Sequence, residues 1–401
     1  MPLNILYIVV CSVATVVLLS AVSPFASPFF RFRKMLKRVG ASDDLQAEKV
    51  PSEPMTVLIV AGHDQSQALE RNLPHWLGQQ YGENFEVVVV AEKGDGDTED
   101  VLKRFAQSPN LYATYVPQSS RYMSRQKLAI TLGVKAAKNE WIVLTDATAK
   151  PSSESWLATV AAHCSEDKNL VAVYGNYDEQ ARPFCRFETL YTSSYLLRCA
   201  MKKTAYRSNT TTCVFRKSDF IRQDGYRGNL EFVRGEYDFL VNKYAEKHRT
   251  AVVLDPSARI INDEPTAKEL HNKHIFYMHT HKFLKRSRLP RFLFNTDQFL
   301  LHLTTLLQLL TVVAGALLLV LGEKTVENTV FGAVLVASGI LSFVLSAVLR
   351  TVFAKPVVRF FDANVALWRV FPYEWSLIWR NLGRFWAYAR AEKSDFSTHK
   401  V

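Results

Sequence analysis

Long apolar runs lie near both ends of the chain, and a region of mixed polarity separates them. Leu3 to Val22 contains no charged residue, and about 20 apolar residues rising ~1.5 Å each are what a ~30 Å hydrocarbon layer requires. Two similar runs, Phe299 to Leu321 and Val330 to Leu349, follow late in the chain with a short polar turn between them. The pattern predicts an N-terminal transmembrane anchor at residues 1–30 and a transmembrane helical hairpin at residues 291–352.

Two alternatives compete with these spans. The first run could be a cleaved signal peptide, but no Lys or Arg precedes it and it is longer than a usual signal-peptide core. The later runs could be buried core helices, although two nearly chargeless runs joined by a polar turn favour a membrane hairpin. His302 is the one acid or base inside the three predicted runs, which gives a transporter or receptor little support.

Short β-branched runs alternate with amphipathic helical patterns between the membrane runs. The apolar runs are hydrophobic on both faces, which is typical of strands buried in a parallel sheet. We predict strands at residues 56–61, 85–91, 111–116 and 140–146, and helices at residues 67–77, 99–106 and 126–137. This alternation favours an α/β domain at residues 55–290, with a mostly parallel sheet, flanking helices and ligands beyond the carboxyl ends of its strands.

Two further segments complete the predicted organisation. Residues 31–54 form a basic, polar linker, and residues 353–401 form an amphipathic tail rich in tryptophan. Aromatic residues at helical spacing with arginines between them suit a helix among lipid headgroups, but packing against the α/β domain would leave the same pattern. Both interpretations of the tail stay open.

The basic charge of the chain has a topological explanation. The formal net charge is +11, and the mean hydropathy of −0.03 suits a soluble domain flanked by membrane helices. Lys and Arg cluster after the first span, before the second and after the third, so the positive-inside bias places the α/β domain and the C-terminus in the cytoplasm. The chain has no RNA-recognition, zinc-finger or helix-turn-helix pattern, so we expect no nucleic acid partner. Five cysteines without a CxxC pair favour reduced thiols.

Three segments of the α/β domain carry a resemblance to a known family. They are TVLIVAGHDQ, LPHWLGQQYGENFEVVVVAEKGDGDT and SRQKLAITLGVKAAKNEWIVLTDATAKPSSESWL. Their order resembles the N-terminal half of family 2 glycosyltransferases, which use nucleotide-sugars and have the GT-A fold, a Rossmann-like sheet. The resemblance covers about residues 55–285. A generic Rossmann-like domain is the alternative fold, but the chain has no GxGxxG after its first strand and no GxxxxGK[ST] phosphate loop.

The resemblance implies a set of residues that bind the nucleotide-sugar donor. His63 and Asp64 stand where the family has an Asn-Glu pair near the nucleotide, and Glu92 stands at its acidic base- or ribose-contacting position. Asp146 corresponds to the first Asp of the Asp-x-Asp motif, which contacts the ribose and the metal-bound diphosphate. Thr148 replaces the second Asp, normally the metal ligand, and a neutral hydroxyl is a poor partner for Mg²⁺ or Mn²⁺. A divalent cation would then depend on Asp146 as its protein carboxylate.

Basic side chains upstream of Asp146 offer another way to neutralise phosphate. Arg121 and Arg125 follow the third predicted strand, and Lys127 lies in the first turn of the next predicted helix. All three could meet the diphosphate as a guanidinium fork or as point charges. A basic surface loop would contain the same residues.

Two acids at a predicted helix start are the candidates for the catalytic base that the resemblance implies. The segment Arg234 to Leu240 lies where the family has Gly-Glu-Asp-Asp-Leu, whose Asp removes the acceptor proton in inverting transfer. Tyr237 takes the central acidic position, which leaves Asp238 as the first choice of base and Glu236 as the second. Side chains two residues apart on a helix diverge, so only one of them should face the donor. An ordinary acidic helix start would show the same residues.

The segment at residues 269–276, ELHNKHIF, lies where the family has Gln-x-x-Arg-Trp. It lacks the Arg-Trp pair, but Lys273 could meet the leaving diphosphate. Four histidines cluster here, His271, His274, His279 and His281. Their spacing is not a common zinc pattern and no fixed carboxylate accompanies them, so a metal site is disfavoured.

The sequence therefore predicts a multi-pass membrane glycosyltransferase with its catalytic domain at the cytoplasmic face, in the inner membrane of a bacterium. It would move a sugar from a nucleotide-sugar, UDP-linked in our interpretation, to a lipid-linked or envelope polysaccharide acceptor. We expect inversion and, with three spans and no Gln-x-x-Arg-Trp, a non-processive reaction. The altered motifs support an alternative, a non-catalytic relative that binds nucleotide-sugar or serves as a scaffold.

Overall fold

A computed structural model describes residues 3–39, 53–82, 84–117 and 124–397. The chain divides into two compact units. The helical unit contains Met1–Ala41 and Arg291–Arg380, and the sheet unit contains Ser42–Pro290 and Asn381–Val401. The sheet unit thus includes the end of the tail as well as the region predicted to be α/β.

The helical unit begins with α1 (Leu3–Ser20), a short 3₁₀ turn and α2 (Pro28–Val39). The sheet unit then contains ten strands: β1 (Met55–Val60), β2 (Phe85–Glu92), β3 (Leu111–Val116), β4 (Trp141–Asp146), β5 (Ala149–Pro151), β6 (Leu170–Val173), β7 (Gly175–Tyr177), β8 (Cys213–Arg216), β9 (Thr250–Val253) and β10 (Ile260–Asn262). Its helices are α3 (Ser66–Leu77), α4 (Gly96–Arg104), α5 (Arg125–Ala136), α6 (Trp156–Ala161), α7 (Pro183–Lys202), α8 (Lys217–Arg222), α9 (Glu236–Tyr244) and α10 (Ala267–Thr280). The chain continues with α11 (Arg288–Leu321), α12 (Val326–Phe360) and α13 (Val370–Arg390).

The main sheet has seven strands in the order β3-β2-β1-β4-β8-β6-β9. Every neighbouring pair is parallel except the two that involve β8, so β8 runs against the other six strands. The predicted α/β class with a mostly parallel sheet and flanking helices is therefore confirmed. A second, three-stranded sheet joins β5, β10 and β7.

Alternation along the strands explains why their sequences are apolar throughout. In β1, Val57 and Ile59 pack into one hydrophobic cluster while Leu58 and Val60 pack into another. Successive side chains point to opposite faces of a sheet, so both faces of β1 are covered. Gly133 lets α5 approach this sheet, because a Cβ there would lie 2.1 Å from Leu58 Cδ1.

Three helices of the helical unit are long and apolar enough to cross a membrane, as predicted: α1 with the turn after it, α11 and α12. Glycines permit α11 and α12 to pack closely, since a Cβ on Gly315 would lie 2.8 Å from the carbonyl oxygen of Gly332. Small residues have this role at helix interfaces in membranes. The segment predicted to be a linker begins with α2, and its residues 40–52 lie outside the described residues.

A buried cluster of three charged residues corrects the expectation that the spans hold no acid or base besides His302. The helices continue beyond the apolar runs, so α11 includes Asp297 and α12 includes Arg350. Arg350 donates to both Asp297 carboxylate oxygens, at 3.1 and 3.3 Å, and to Glu374 of α13 at 2.5 Å. All three side chains are at most 1% exposed. We call this group the arginine cluster, and its internal pairing gives no new support to a transporter.

The tail helix α13 combines features of both interpretations left open above. Phe385 and Trp386 are exposed, as a helix at a lipid surface would have them. Arg384, however, forms an ion pair with Glu188 of α7, and Tyr388 packs with Ile275 and Phe396 inside the sheet unit. One face of the end of α13 is therefore packed while aromatic side chains on the other stay exposed.

Candidate functional site

Asp146 ends β4 at the point where the strand order reverses. Val60 of β1 is the register partner of both Val90 in β2 and Asp146 in β4. Ligands of open α/β sheets bind outside the carboxyl ends of the strands at such a switch point. The apolar strand β4 thus ends in one half-buried carboxylate at this edge of the sheet.

The turn after Asp146 is held by its own side chain and by two distant segments. Asp146 Oδ1 accepts the Thr148 backbone N–H at 3.1 Å and the Thr148 hydroxyl at 2.7 Å. Asn72 of α3 donates to the Ala147 carbonyl at 2.9 Å, and the Asp263 N–H donates to the Thr148 carbonyl at 2.8 Å. The predicted donor-binding pair Asp146 and Thr148 is therefore fixed in one geometry.

Neighbouring groups set the charge state of Asp146. Desolvation raises its pKa, and hydrogen bonds from Thr148 and Thr211 together with the charge of Lys273 act in the opposite direction without cancelling the rise. Burial, followed by the negative charges of Asp146 and Glu236, raises the pKa of Tyr237 well above its ordinary value. The charge of Lys273 therefore acts on Asp146, and the charges of Asp146 and Glu236 act on Tyr237.

The start of α9 places the two predicted base candidates. Gly235 precedes the helix with φ of 96°, a left-handed conformation that glycine adopts at no steric cost. Glu236 is buried, its Oε2 has no hydrogen-bond partner among the described residues, and desolvation raises its pKa. Asp238 is more accessible, and its Oδ1 accepts the Ser208 backbone N–H at 3.1 Å. As expected for this spacing, the two acids have different surroundings.

Two cations complete this part of the site. Lys273 of α10 donates to the Tyr177 hydroxyl at 3.0 Å. Arg207 lies 3.9 Å from the ring centre of Tyr277, also on α10, and its Nε is 3.7 Å from Asp238 Oδ1. Although burial opposes its charge, Tyr277 and Asp238 raise the pKa of Arg207. The site therefore combines three acids, Asp146, Asp238 and Glu236, with two cations, Lys273 and Arg207.

The remaining donor-side residues form a second group along the same edge. Glu92, at the end of β2, pairs with Arg125 at the start of α5. His63 lies 3.5 Å from Asp64 and 3.9 Å from Asp95, and the Asp64 side chain is 88% exposed. β1 separates β2 from β4, which puts Glu92 about 10 Å across the sheet from Asp146, whereas His63 and Asp64 follow β1, the strand next to β4. These residues therefore share one edge of the sheet with Asp146.

Lys127 has partners that its predicted phosphate role did not anticipate. Its side chain is 0% exposed, and its amine donates to the carbonyls of Asn229 and Phe232. Burial lowers the pKa of Lys127 to about 8, while Glu236 and Glu231 work against that fall. The first turn of α5 faces the core here, so the amine holds the loop before α9 instead of reaching solvent. Arg121 lies outside the described residues.

The donor set around Asp146 fits a divalent cation poorly. No group of three or more His, Cys, Asp and Glu side chains within residues 3–39, 53–82, 84–117 and 124–397 is arranged to hold a metal. Asp146 Oδ1 is already used by Thr148 twice. Mg²⁺ is normally held by one or two carboxylates with phosphate oxygens and water, and here Thr148 supplies a hydroxyl in place of the second carboxylate.

The histidines of α10 and the residue after it take separate packing positions. His274 Nε2 lies 3.5 Å from Glu188 Oε2, and His279 stacks on Phe396 at 4.7 Å between ring centres. His281 Nδ1 is 2.8 Å from the Tyr277 carbonyl oxygen. These three imidazoles therefore have three different sets of neighbours.

Sequence reasoning assigned no site role to Arg207, Thr211 or Tyr177. β8 is antiparallel, so the residues that precede it lie at the carboxyl edge of β4. Leu144 pairs with Cys213, which brings Thr211 level with Asp146. A strand predicted at 213–216 with reversed direction would have been the signal, but direction is not readable from apolar periodicity.

Comparisons with known proteins find likenesses in structure alone. No protein-family model and no curated protein matches the sequence. The chain is similar to a mannosyltransferase from Pyrobaculum calidifontis in complex with GDP-Man and Mn²⁺, at 16% identity and TM-score 0.49, covering 92% of this chain and 99% of that one. It is also similar to S. aureus TarS 1–349 in complexes with UDP and with UDP-GlcNAc, at 12% and 14% identity and TM-score 0.41, covering 81% of this chain and 92% of those.

Proposed function

We propose that the sheet unit is a glycosyltransferase domain that takes a sugar from a nucleotide-sugar, UDP-linked in our interpretation. The observation that carries the proposal is the position of Asp146 at the switch point of the sheet. Lys273 acts on Asp146 through its charge, and Arg207 lies near both Lys273 and Asp238. The order of sequence motifs that resembles family 2 enzymes supports the same reaction. The low-identity structural likenesses are not part of this argument.

The reaction is an in-line displacement at the anomeric carbon, with inversion. Asp238 accepts the proton of an acceptor hydroxyl, the hydroxyl oxygen bonds to the anomeric carbon, and the bond from that carbon to the diphosphate breaks with its electron pair going to the diphosphate. Asp238 is preferred over Glu236 because its side chain is 15% exposed whereas Glu236 is buried. Glu92 and Asp64 lie where they could accept hydrogen bonds from a base or ribose of the donor.

The apolar helices support a proposal for the acceptor and the location. Three candidate spans and the exposed aromatic residues of α13 support an acceptor in or at a membrane, lipid-linked or part of an envelope polysaccharide. The distribution of Lys and Arg supports a cytoplasmic catalytic face of a bacterial inner membrane. Three spans without a Gln-x-x-Arg-Trp segment support single, non-processive transfers.

The full-length protein in detergent or vesicles tests the proposal. Incubation with labelled UDP- and GDP-sugars and membrane lipid acceptors should release nucleoside diphosphate and transfer label, and D146N should do neither. Absence of transfer from every sugar donor, with D146N and the native protein indistinguishable, would contradict it.

A second function, binding without transfer, is favoured by one specific observation. Tyr237 occupies the central acidic position of the α9 motif and its hydroxyl has no hydrogen-bond partner among the described residues. Calorimetric binding of UDP or GDP without turnover would favour this scaffold role over catalysis.

A further inference from the structure

Lys273 and Tyr277 lie on one face of α10, and Arg207 packs on the ring of Tyr277. Lys273 and Tyr277 are four residues apart on a helix, so their side chains are neighbours about 6 Å apart. Arg207 stacks on the Tyr277 ring, which brings its guanidinium within about one helical turn of the Lys273 amine. The Tyr177 hydroxyl fixes the other side of this arrangement through its hydrogen bond with Lys273.

Arg207 and Lys273 are like charges held near each other, and the carboxylate paired with Arg207 is that of Asp238. The charge of Arg207 acts against the protonated form of Lys273. Arg207 Nε is buried without a hydrogen bond, since Asp238 Oδ1 is 3.7 Å away. The Lys273 side chain is exposed to solvent. A double-positive site with an unused donor and an open side is suited to an anion of more than one charge.

The same edge of the sheet supplies few ligands for a divalent cation. Asp146 Oδ1 already accepts twice from Thr148, and Thr148 stands where a second carboxylate would be. In addition, the charge of Lys273 lowers the pKa of Asp146, which is the direction in which a bound cation would shift it. The charge that a metal would bring to a diphosphate is therefore present in the chain itself.

We propose that Lys273 and Arg207 replace a divalent cation and bind the diphosphate of the donor, so that nucleoside diphosphate binds without metal. This inference rests on the proposed function. In the transfer step, the bond between the anomeric carbon and the diphosphate breaks, the electron pair stays on the diphosphate, and the two side chains offset the added charge. The acceptor proton goes to Asp238.

Calorimetry with UDP and with GDP tests the inference on the full-length protein in detergent, once in EDTA and once in MnCl₂ at equal ionic strength. We expect the Kd of at least one nucleotide to agree within about threefold between the two buffers. In EDTA, K273Q and R207Q should each raise that Kd by about 10- to 100-fold, the range for a charged hydrogen bond. K268Q is the matched control, because Lys268 is an exposed lysine on the same helix, and it should leave the Kd within about twofold.

Conservative variants separate charge from folding. K273R should retain most of the affinity, and R207K should retain part of it, because each keeps the positive charge. Binding that appears only with Mn²⁺, or that K273Q and K268Q affect equally, would overturn this inference and leave the proposed transfer intact. If neither nucleotide binds in either buffer, the proposed function fails together with the inference.

Discussion

The arginine cluster of the helical unit permits a sharp test of the folded structure. In R350M the side-chain volume is roughly kept while the one cation of the cluster is lost. Asp297 and Glu374 would then remain buried, at most 1% exposed, without their positive partner. Removing one member of a buried ion pair costs about 3–5 kcal/mol, chiefly because an uncompensated charge stays behind.

The size of the effect follows from the three contacts. Arg350 makes two hydrogen bonds to Asp297 and one to Glu374, so R350M should fall at the upper end of that range. For a unit of this size, each kcal/mol lowers Tm by about 2–4 °C. We expect a decrease on the order of 10 °C for the full-length protein in detergent micelles, followed by circular dichroism at 222 nm on heating.

Two comparisons make the result specific. Arg359 is an exposed arginine near the end of the same helix, and R359M should change Tm by about 1 °C at most. The triple variant D297N/R350M/E374Q removes every charge of the cluster and should recover at least half of the loss, because no buried charge is left unpaired. Equal Tm values for R350M and R359M at pH 8 would refute the reasoning.

Further predictions concern the sheet unit. D238N should lower kcat by about 10²- to 10⁴-fold while the donor Kd stays within about twofold, and an equal loss in E236Q alone would identify Glu236 as the base. Because burial raises the pKa of Glu236, the folded state favours the neutral carboxyl group. The folded protein therefore loses stability as the pH rises through that raised pKa and the buried group becomes charged. E236Q should therefore raise Tm by about 2 °C at pH 8 and leave it unchanged at pH 4, and equal shifts at both values would contradict this. K127M should lower Tm by several degrees, about 1–3 kcal/mol, with the UDP or GDP Kd of the folded protein unchanged, whereas a 10-fold weaker Kd would restore the phosphate role. G133A should destabilise the domain by about 1–3 kcal/mol, because its Cβ would meet Leu58, and G96A, where nothing lies within 4 Å of a Cβ, is the control that should show no such loss in urea unfolding.

Local periodicity was sufficient for the elements that face a single kind of environment. The apolar run of β4 reflects burial on both faces of the sheet, and the apolar run at residues 299–321 of α11 has the length and composition of a membrane span. The position of Asp146 followed as well, since a polar residue that ends a buried strand must emerge at the edge of the sheet.

Side-chain partners could not be predicted in the same way. Lys127 and Arg125 lie two residues apart on α5, yet one amine is buried against the loop at residues 229–232 and the other cation pairs with Glu92. Arg350 lies beside an apolar run and meets acids 53 and 24 residues away in the chain. Which residue faces which partner depends on how distant segments pack.

The sequence by itself determined the first four strands and the helices between them, the three apolar spans and the carboxylate at the end of β4, because each depends on hydrophobic spacing over a few neighbouring residues. Only the tertiary structure decided that β8 runs backwards, that Arg207 reaches Asp238, and that Lys273 rather than Lys127 stands near Asp146. Those arrangements join residues 30 to more than 100 positions apart, and chain entropy and packing across the whole domain select them rather than any local pattern.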